Sequence, residues 1–383
     1  MTKTQIRALF TLLKRALGEK TPFSFSLEES DFREIYEIAR KHDLGHLLFT
    51  GIEGLTLEIS PELLFKMRKK YLLASGRYAQ RLYEYGRIVS LFEENGIDHL
   101  PLKGAVLSAL YPDPAMRTSC DIDILVHSED LEKAEKLLTE ELGYALGEKS
   151  THDVAFWGTS DVRLELHFEL NEPDYMTVGF LSDIWHYLSL DEGFSHRYHT
   201  SGEHFVFYHI YHMAKHVFSG GCGIRPLMDL WILKQGFPYN RALLETLLQK
   251  EGLLTFFKAA DALSEVWFGE GVHTPVTEEL ECYLVGAGIY GTKENLIAIH
   301  EVKRGGKLGY FLRRVFLPYG MLKRFYPTLE RFPILYPVYQ VKRWFLFLFR
   351  KNKKETVDEL LAAHAVTKEK RKSLERLFSE LEL

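Results

Sequence analysis

The hydrophobic period of this 383-residue chain changes twice, and these changes constrain its fold more than any other feature. From residue 1 to about 96, apolar residues recur at helical spacing. Residues 97–170 instead contain short β-branched or aromatic segments that partly alternate, with one helical segment among them. Helical spacing returns from about residue 203. The pattern predicts an α+β protein, in which a small strand-containing unit lies between two helical regions.

Local signals indicate where these regions begin and end. Asp31 is a candidate helix N-cap, Pro61 begins a long helical segment, and Asn95 with Gly96 is a typical C-cap. The length of the chain suits two or three domains, because one domain usually has roughly 100–200 residues. We expect a helical N-terminal region (1–96), an α/β core (97–200), a helical domain (201–300), and a basic aromatic segment with a C-terminal helix (301–383).

The cysteines and the N-terminal segment give expectations about the compartment. Cys120, Cys222 and Cys282 are widely spaced and odd in number, which provides neither a disulfide framework nor a paired-cysteine zinc site. Lys14 and Arg15 interrupt the apolar residues near the N-terminus, so that segment predicts an amphipathic helix and not a signal peptide. No run approaches the roughly 18 apolar residues of a spanning helix. We therefore expect a cytoplasmic protein without a transmembrane segment.

Basic residues are concentrated near the C-terminus. Residues 301–354 contain 14 Lys or Arg and two acids, a net charge of +12. Because the whole chain has a net charge of −5, the rest of the chain carries −17. Trp344 and nearby phenylalanines add apolar side chains to this segment. One interpretation is a solvated helical surface. The other is docking of an anionic partner or a membrane surface on residues 303–354.

The segment Asp121–Val126 carries the strongest chemical signal. In a strand, Asp121 and Asp123 lie on one face, roughly 6.5–7 Å apart along the chain. Two such carboxylates suit a hard divalent cation, and Mg²⁺ fills its other positions with waters and substrate phosphate oxygens. A later strand segment offers Glu165 as a third acid, with His167 on the same face. Three acids on adjacent strands predict a two-metal site. For His167 we expect a hydrogen-bonding or structural role, and a metal ligand is the alternative.

Upstream of the acids, the sequence offers partners for phosphate. Lys103 and Gly104 end one strand and begin a helix, where free backbone N–H groups favour an anion. Arg117 could bind phosphate with its guanidinium fork, or could instead pair with Asp113 or Asp130. The spacing from Lys103 to the paired aspartates and then to a third acid is more specific than any of its parts.

These motifs together resemble a known family. Lys103-Gly104, Leu110-Tyr111-Pro112, Arg117, Asp121-Ile122-Asp123, Gly143-Tyr144 and Glu165-Leu166-His167 are similar to the uncharacterised nucleotidyltransferase family of the DNA polymerase β superfamily. The resemblance implies a small mixed sheet packed by helices. It also implies Mg²⁺ or Mn²⁺ at the aspartates, and transfer of a nucleoside monophosphate from an NTP such as ATP to a hydroxyl acceptor, with release of pyrophosphate. Asp121 and Asp123 would be metal ligands, Glu165 the third acid and Gly104 the phosphate-loop glycine.

Two departures from the superfamily pattern keep other functions open. Ala105 stands where many members have Ser or Gly, and Glu165 stands where Asp is common, with Glu169 as a fallback acid. A catalytically silent nucleotide-binding or interaction module is one alternative. A nucleotidyltransferase directed at RNA is another, and the acceptor class, whether small molecule, protein or RNA, stays open.

A histidine-rich helix follows the α/β core. His209, His212 and His216 share one stripe, with Lys215 beside them, but the third ligand and glutamate of known zinc helices are absent. Lys215 and His216 could face the cleft and hold the triphosphate or base, as a helical domain closing such a core would. The other interpretation is a partly buried helix whose histidines bond to neighbours. Asp229 could orient one of these groups or pair with Arg225.

Overall fold

The structure, a computed structural model, describes residues 2–172, 175–289, 291–303, 316–348 and 366–383. Four helices form its N-terminal region: α1 (Lys3–Ala16), α2 (Glu29–Lys41), α3 (Gly45–Gly51) and α4 (Pro61–Glu94). Helix α4 has the predicted bounds. The predicted N-cap at Asp31 is wrong, because α2 begins two residues earlier and the Asp31 carboxylate accepts the backbone N–H of Glu28 at 3.0 Å from inside the first turn.

A five-stranded mixed sheet follows, in the order β1-β2-β5-β4-β3. Its strands are β1 (His99–Pro101), β2 (Asp121–Val126), β3 (Ala145–Lys149), β4 (Asp153–Trp157) and β5 (Arg163–His167). β2 and β5 run parallel, and the other neighbours are antiparallel. Helix α5 (Gly104–Leu107) follows β1, and α6 (Leu131–Glu140) connects β2 to β3. Strand β3 was not predicted from sequence, because all of its residues are exposed and no buried apolar face marks it.

Beyond the sheet, the chain returns to helices. A short helix α7 (Gly179–Ser182) precedes a two-stranded hairpin of β6 (Leu188–Leu190) and β7 (Tyr198–Thr200). The next six helices are α8 (Gly202–Phe218), α9 (Arg225–Gly236), α10 (Arg241–Lys250), α11 (Leu254–Phe268), α12 (Pro275–Ala287) and α13 (Lys293–Lys303). The last described helices are α14 (Tyr319–Phe325), α15 (Thr328–Arg331), α16 (Tyr336–Leu348) and α17 (Lys368–Glu380).

Two hydrophobic cores stabilise this arrangement. The smaller one covers one face of the sheet, where Ile88 and Phe92 of α4 pack with Ile124 and Leu164. The larger one combines side chains from both ends of the chain, and the Phe10 ring stacks on Trp267 at 4.3 Å between centroids. The predicted α+β class, with helical regions on both sides of a small mixed sheet, is confirmed. The division into four units stays a prediction.

Much of the basic segment lies outside the described residues, including eight of its 14 Lys and Arg. In the described part, Lys323 pairs with Glu330 at 2.9 Å, and the Lys342 ammonium lies 5.6 Å from the ring centroid of Tyr326. Docking of an anionic partner on 303–354 therefore stays a prediction. None of the helices in the described ranges combines the length and apolar character that crossing a bilayer requires.

Candidate active site

Two neighbouring strands place polar side chains on the same face of the sheet. β2 and β5 are parallel, and Asp123 lies in register with Glu165. Because side chains alternate along a strand, Asp121 and His167 share this face, while the apolar residues between them enter the smaller core. The fold thus brings the three acids identified from sequence to one face of adjacent strands.

Asp123, Glu165 and His167 form a group that could hold a metal ion. One carboxylate oxygen from each acid and one His167 ring nitrogen lie within 4.8 Å of one another. Nε2 of His167 is 3.2 Å from Oδ1 of Asp123 and 3.9 Å from Oε2 of Glu165. Asp123 and His167 are buried and Glu165 is partly buried, so a cation here would meet preorganised donors. This donor set fits the divalent metal that the sequence predicts.

Asp121 lies outside that group and is held by a separate link. The Ser119 hydroxyl donates to Oδ1 of Asp121 at 2.8 Å. The Arg81 guanidinium, from α4, donates to the backbone carbonyl of Ser119. Neither Ser119 nor Arg81 was identified from sequence, since neither belongs to the paired-acid motif. The link fixes the start of β2 to the long N-terminal helix.

Lys103 is partly buried and packs against Asp123. Its Nζ lies 3.3 Å from Oδ1 of Asp123 and 5.9 Å from the ring centroid of Tyr208 on α8. Burial alone would lower the pKa of the Lys103 ammonium, but the Asp123 charge outweighs it and the pKa is raised. Burial likewise opposes the charged form of Asp123, yet Lys103 and His167 hold the pKa of Asp123 well below its usual range. Both groups are therefore charged, as an ion pair.

The Lys103 backbone is also unusual. Its φ of 36° lies in the region that side-chain-bearing residues rarely adopt, immediately before α5. At the next residue, a Cβ on Gly104 would come within 2.8 Å of an Arg117 guanidinium nitrogen. The turn is thus packed closely enough that the second position suits glycine, and the strain falls beside the candidate metal ligands.

Arg117 forms an internal ion pair. Its Nη2 lies 3.0 Å from Oδ2 of Asp229 on α9, and its Nε donates to Oδ1 at 3.3 Å. The Tyr111 hydroxyl donates to the same carboxylate at 2.7 Å. The partner of Arg117 is therefore neither of the two acids considered from sequence. One of these, Asp113, instead caps the turn Pro114–Met116. A direct contact of Arg117 with phosphate stays a prediction.

Arg225 is not the partner of Asp229, and that sequence alternative is wrong. Its Nη2 lies 2.8 Å from Oδ2 of Asp43 and also donates to the Thr118 hydroxyl at 2.8 Å. Two arginines therefore connect α9 to the loop before β2. Arg117 of the loop pairs with Asp229 of α9, and Arg225 of α9 donates to Thr118 of the loop.

Helix α8 carries the histidine stripe. His212 and His216 contact each other, with their Nε2 atoms 3.2 Å apart, and His209 bonds the Pro226 carbonyl at 2.9 Å. Burial, followed by the charge of Lys215, lowers the pKa of His216 to about 3. Lys215 pairs with Glu172, beyond β5. In the described ranges these histidines gain no third metal ligand, and the predicted contact of Lys215 and His216 with nucleotide stays a prediction.

Glu165 differs from the other acids in its electrostatics. Burial raises its pKa, and the charges of Asp123 and Asp121 raise it further. Arg163 lies two residues away on the same face and forms an ion pair with Glu165 at 2.8 Å, which partly opposes the rise in pKa. The two-residue period of the strand could have predicted this pair from sequence. The fallback acid Glu169 lies beyond β5, where its carboxylate accepts the backbone N–H groups of the next two residues.

One comparison with known proteins gives a result. A family model described as "Uncharacterised nucleotidyltransferase" matches residues 28–269, which include helices α2–α11 and the whole sheet. No curated protein and no solved structure matches the chain.

Proposed function

The chain belongs to the uncharacterised nucleotidyltransferase family, and we propose that it moves a nucleoside monophosphate group from an NTP to a hydroxyl acceptor. The observation that carries the proposal is the in-register pairing of Asp123 with Glu165, beside Asp121 and His167. In this reaction the acceptor oxygen forms a bond to the α-phosphorus. The bond from that phosphorus to the bridging oxygen breaks, and pyrophosphate leaves.

Asp121, Asp123 and Glu165 are the proposed ligands of Mg²⁺ or Mn²⁺. Such an ion, when bound, neutralises charge on the phosphate oxygens and orients the NTP. Mg²⁺ prefers oxygen ligands, whereas imidazole is typical of other metals. We therefore assign His167 to orienting Asp123, through the 3.2 Å hydrogen bond between them.

Glu165, with Asp121, is proposed to help remove the proton from the attacking hydroxyl. Burial and the charges of Asp123 and Asp121 raise the pKa of Glu165 before a cation binds, which marks it as the least satisfied carboxylate of the site. The carboxylate of Glu165 lies beside that of Asp123 on the same face of the sheet, so both could act on the same bound substrate.

Lys103, Gly104 and Arg117 are the proposed phosphate side of the site. The Lys103 ammonium already lies beside Asp123, and an incoming phosphate would find this cation next to the metal ligands. Arg117 supports the turn at Gly104 while Asp229 holds its guanidinium. Lys215 and His216 are proposed to approach the nucleotide from α8, whose Tyr208 ring lies beside Lys103.

One observation favours the silent nucleotide-binding module as a second candidate. Lys103 neutralises Asp123 internally, so a divalent cation must compete with a partly buried ammonium 3.3 Å from the carboxylate. Ala105 adds no hydroxyl to the turn. In such a module, nucleotide binding would persist without metal and no transfer would follow.

The experiment combines binding with turnover. Purified protein is titrated with NTPs in the presence of Mg²⁺, Mn²⁺ or a chelator, and α-labelled NTPs are incubated with candidate hydroxyl acceptors. We expect metal-dependent binding and pyrophosphate release by the wild type, and loss of both in Asp121→Ala/Asp123→Ala. Metal-independent binding that is equal in the two proteins would instead support the silent module.

Glu148→Gln is the matched control for these acids. Glu148 lies on the same sheet, in β3, but is exposed and does not belong to the group formed by Asp123, Glu165 and His167. Loss of its charge leaves the site intact, so binding and turnover should remain at wild-type levels. An equal loss in this variant would mean that general charge, and not the site, governs the readout.

A further inference from the structure

Helix α4 contains a basic run without acids. Between Leu63 and Tyr83 it has six Lys or Arg and no Asp or Glu, in a chain whose net charge is −5. The six are Lys66, Arg68, Lys69, Lys70, Arg77 and Arg81. In the described part of the chain, neither Lys70 nor Arg77 lies within ion-pair distance of an acid, and both are exposed. The run therefore keeps an uncompensated positive charge at the surface.

Four of these cations follow one side of the helix. Lys66, Lys70, Arg77 and Arg81 are spaced by four, seven and four residues, close to whole helical turns, and span about 22 Å. At the C-terminal end of this row, which we call the basic stripe, Arg81 donates to the Ser119 carbonyl. Ser119 in turn holds Asp121 at 2.8 Å. The basic stripe thus leads from the surface to the candidate active site.

A small cleft lies along the middle of the basic stripe. It is lined by Lys70 and Arg77 of α4, Arg40 of α2, and Asp43 and Thr118, and has a volume of about 30 Å³. Thr118 is three residues before Asp121. Arg40 pairs with Glu37, and Asp43 pairs with Arg225. Lys70 and Arg77 are therefore the cations at this cleft that pair with no acid in the described ranges, and they favour an anionic group at its mouth.

Positive charge continues to the end of the stripe. Burial and, after it, the nearby charge of Arg117 lower the pKa of the Arg81 guanidinium to about 10. Cations that repel one another at the edge of a site are stabilised by a bound anion. Arg81 also lies close to Asp121, one of the acids beside which the acceptor hydroxyl would bind in the proposed reaction.

Exposed aromatic side chains lie on another side of α4, together with Arg68 and Lys69 of the basic run. The exposed fractions of Phe65 and Tyr83 are 67% and 66%, and Leu72 between them is 58% exposed. Their spacing of seven and eleven residues places them on one face with Arg68 and Lys69, roughly 130° around the helix from the basic stripe. Aromatic rings next to these two cations can stack on bases while the cations contact a phosphate backbone.

We propose that the basic stripe binds single-stranded nucleic acid and directs a strand end, as the acceptor hydroxyl, to the acids of β2 and β5. The use of this hydroxyl rests on the proposed function, whereas binding itself does not. A symmetric dimer through this face is disfavoured as the occupant, since the two acid-free runs would repel each other. A bilayer is disfavoured because the stripe ends at half-buried Arg81, which a strand end can reach and a flat surface cannot.

The test measures fluorescence anisotropy of labelled RNA and DNA oligonucleotides of about 20 nucleotides with the full chain, between about 50 and 200 mM salt. We expect affinity that falls with salt. In Lys70→Ala/Arg77→Ala the affinity should fall about tenfold, and the slope of log K against log salt should weaken by about 1.4. Arg7→Ala/Lys258→Ala, which removes two exposed cations of the same types elsewhere, should stay within about twofold of the wild type.

Three outcomes would overturn the inference: no salt-dependent binding of either oligonucleotide, equal weakening in the two double variants, or stripe-dependent binding to phosphatidylserine vesicles in place of oligonucleotides. Asp123→Asn separates this inference from the proposed function. If that variant binds oligonucleotide normally but has lost metal-dependent NTP binding, both stand. If oligonucleotide binding is absent while the wild type still binds NTP with metal, only the inference on α4 fails.

Discussion

Two clusters of charged side chains in this protein combine acids and cations in different proportions. The acidic cluster combines Asp123 and Glu165 with Lys103 and His167, and the arginine cluster combines Asp229 with Arg117 and Tyr111. With Asp121 and Arg163 included, the acidic cluster has three carboxylates against one ammonium and one guanidinium, whereas in the arginine cluster one carboxylate faces one guanidinium. The acidic cluster therefore has negative charge left for a further cation, and the arginine cluster is neutral.

The carboxyl pKa values express this difference. Burial opposes ionisation of both Glu165 and Asp229. At Asp229 the charges of Arg117 and His209 outweigh burial, and the pKa is lowered. At Glu165 the neighbouring aspartates add to burial, and the pKa is raised. Carboxylates without enough cationic partners lower the stability of the folded protein, but they can bind a metal ion. This excess of negative charge distinguishes a cluster suited to binding from a structural one.

The largest expected effect is on the chemistry of the acidic cluster. Asp123→Asn removes the carboxylate that contacts both Lys103 and His167. We expect NTP turnover to fall about 10³-fold or more, about 4 kcal/mol in the barrier. Mg²⁺ should raise the melting temperature of the wild type and not of this variant. Turnover assays and thermal melts with and without Mg²⁺ provide the measurement, and an unchanged Mg²⁺ shift would show that Asp123 is not a ligand.

The arginine cluster should instead respond in stability. Asp229→Ala leaves the Arg117 guanidinium buried without its partner, and we expect a loss of about 3 kcal/mol in the free energy of unfolding. Urea denaturation measures this loss. The double variant Arg117→Met/Asp229→Leu removes both charges and should recover most of it, because apolar side chains can replace a buried pair. If Asp229→Ala unfolds like the wild type, the arginine cluster is not the structural one.

How much of these clusters was predictable from sequence depends on the distance between their parts. The two-residue period of a strand gave the shared face of Asp121 and Asp123, and the chemistry of the motif pointed to Glu165. Asp229 follows Arg117 by 112 residues, and no local pattern could select it over nearer acids. The exposed strand β3 could not be predicted from sequence for a related reason. It forms by pairing with β4, and its own side chains show no alternation of buried and exposed residues.

A smaller effect tests how the arginine cluster is closed. Tyr111→Phe keeps the ring and removes the hydroxyl that donates to Asp229 at 2.7 Å. Because a hydrogen bond to a buried charge is lost while Arg117 remains, we expect about 1.5 kcal/mol less stability. Tyr187→Phe, at an exposed tyrosine, is the control and should leave the urea midpoint unchanged. Equal midpoints for the two variants would mean that Arg117 alone satisfies the carboxylate.

The smallest effect has the opposite sign and belongs to the acidic cluster. The folded state raises the pKa of Glu165 above its ordinary value of 4.5, so the folded protein holds this proton more tightly than the unfolded chain. The contribution of Glu165 to stability is therefore full below the unfolded pKa and is lost as the pH rises through the folded pKa. Glu165→Gln mimics the protonated carboxyl at every pH. We expect the variant to unfold like the wild type near pH 4 and to be more stable than the wild type at pH 8.

Urea midpoints of Glu165→Gln and wild type across that pH range measure the difference, with Glu148→Gln reporting the effect of removing an exposed acid from the same sheet. The Arg163 ion pair makes the outcome informative, because that pair favours the ionised carboxylate. If Glu165→Gln is less stable than the wild type at pH 8, Arg163 has neutralised Glu165, and the acidic cluster is as balanced as the arginine cluster. If it is more stable but inactive, the cluster keeps an excess of negative charge that the fold disfavours and that a metal-dependent transfer uses.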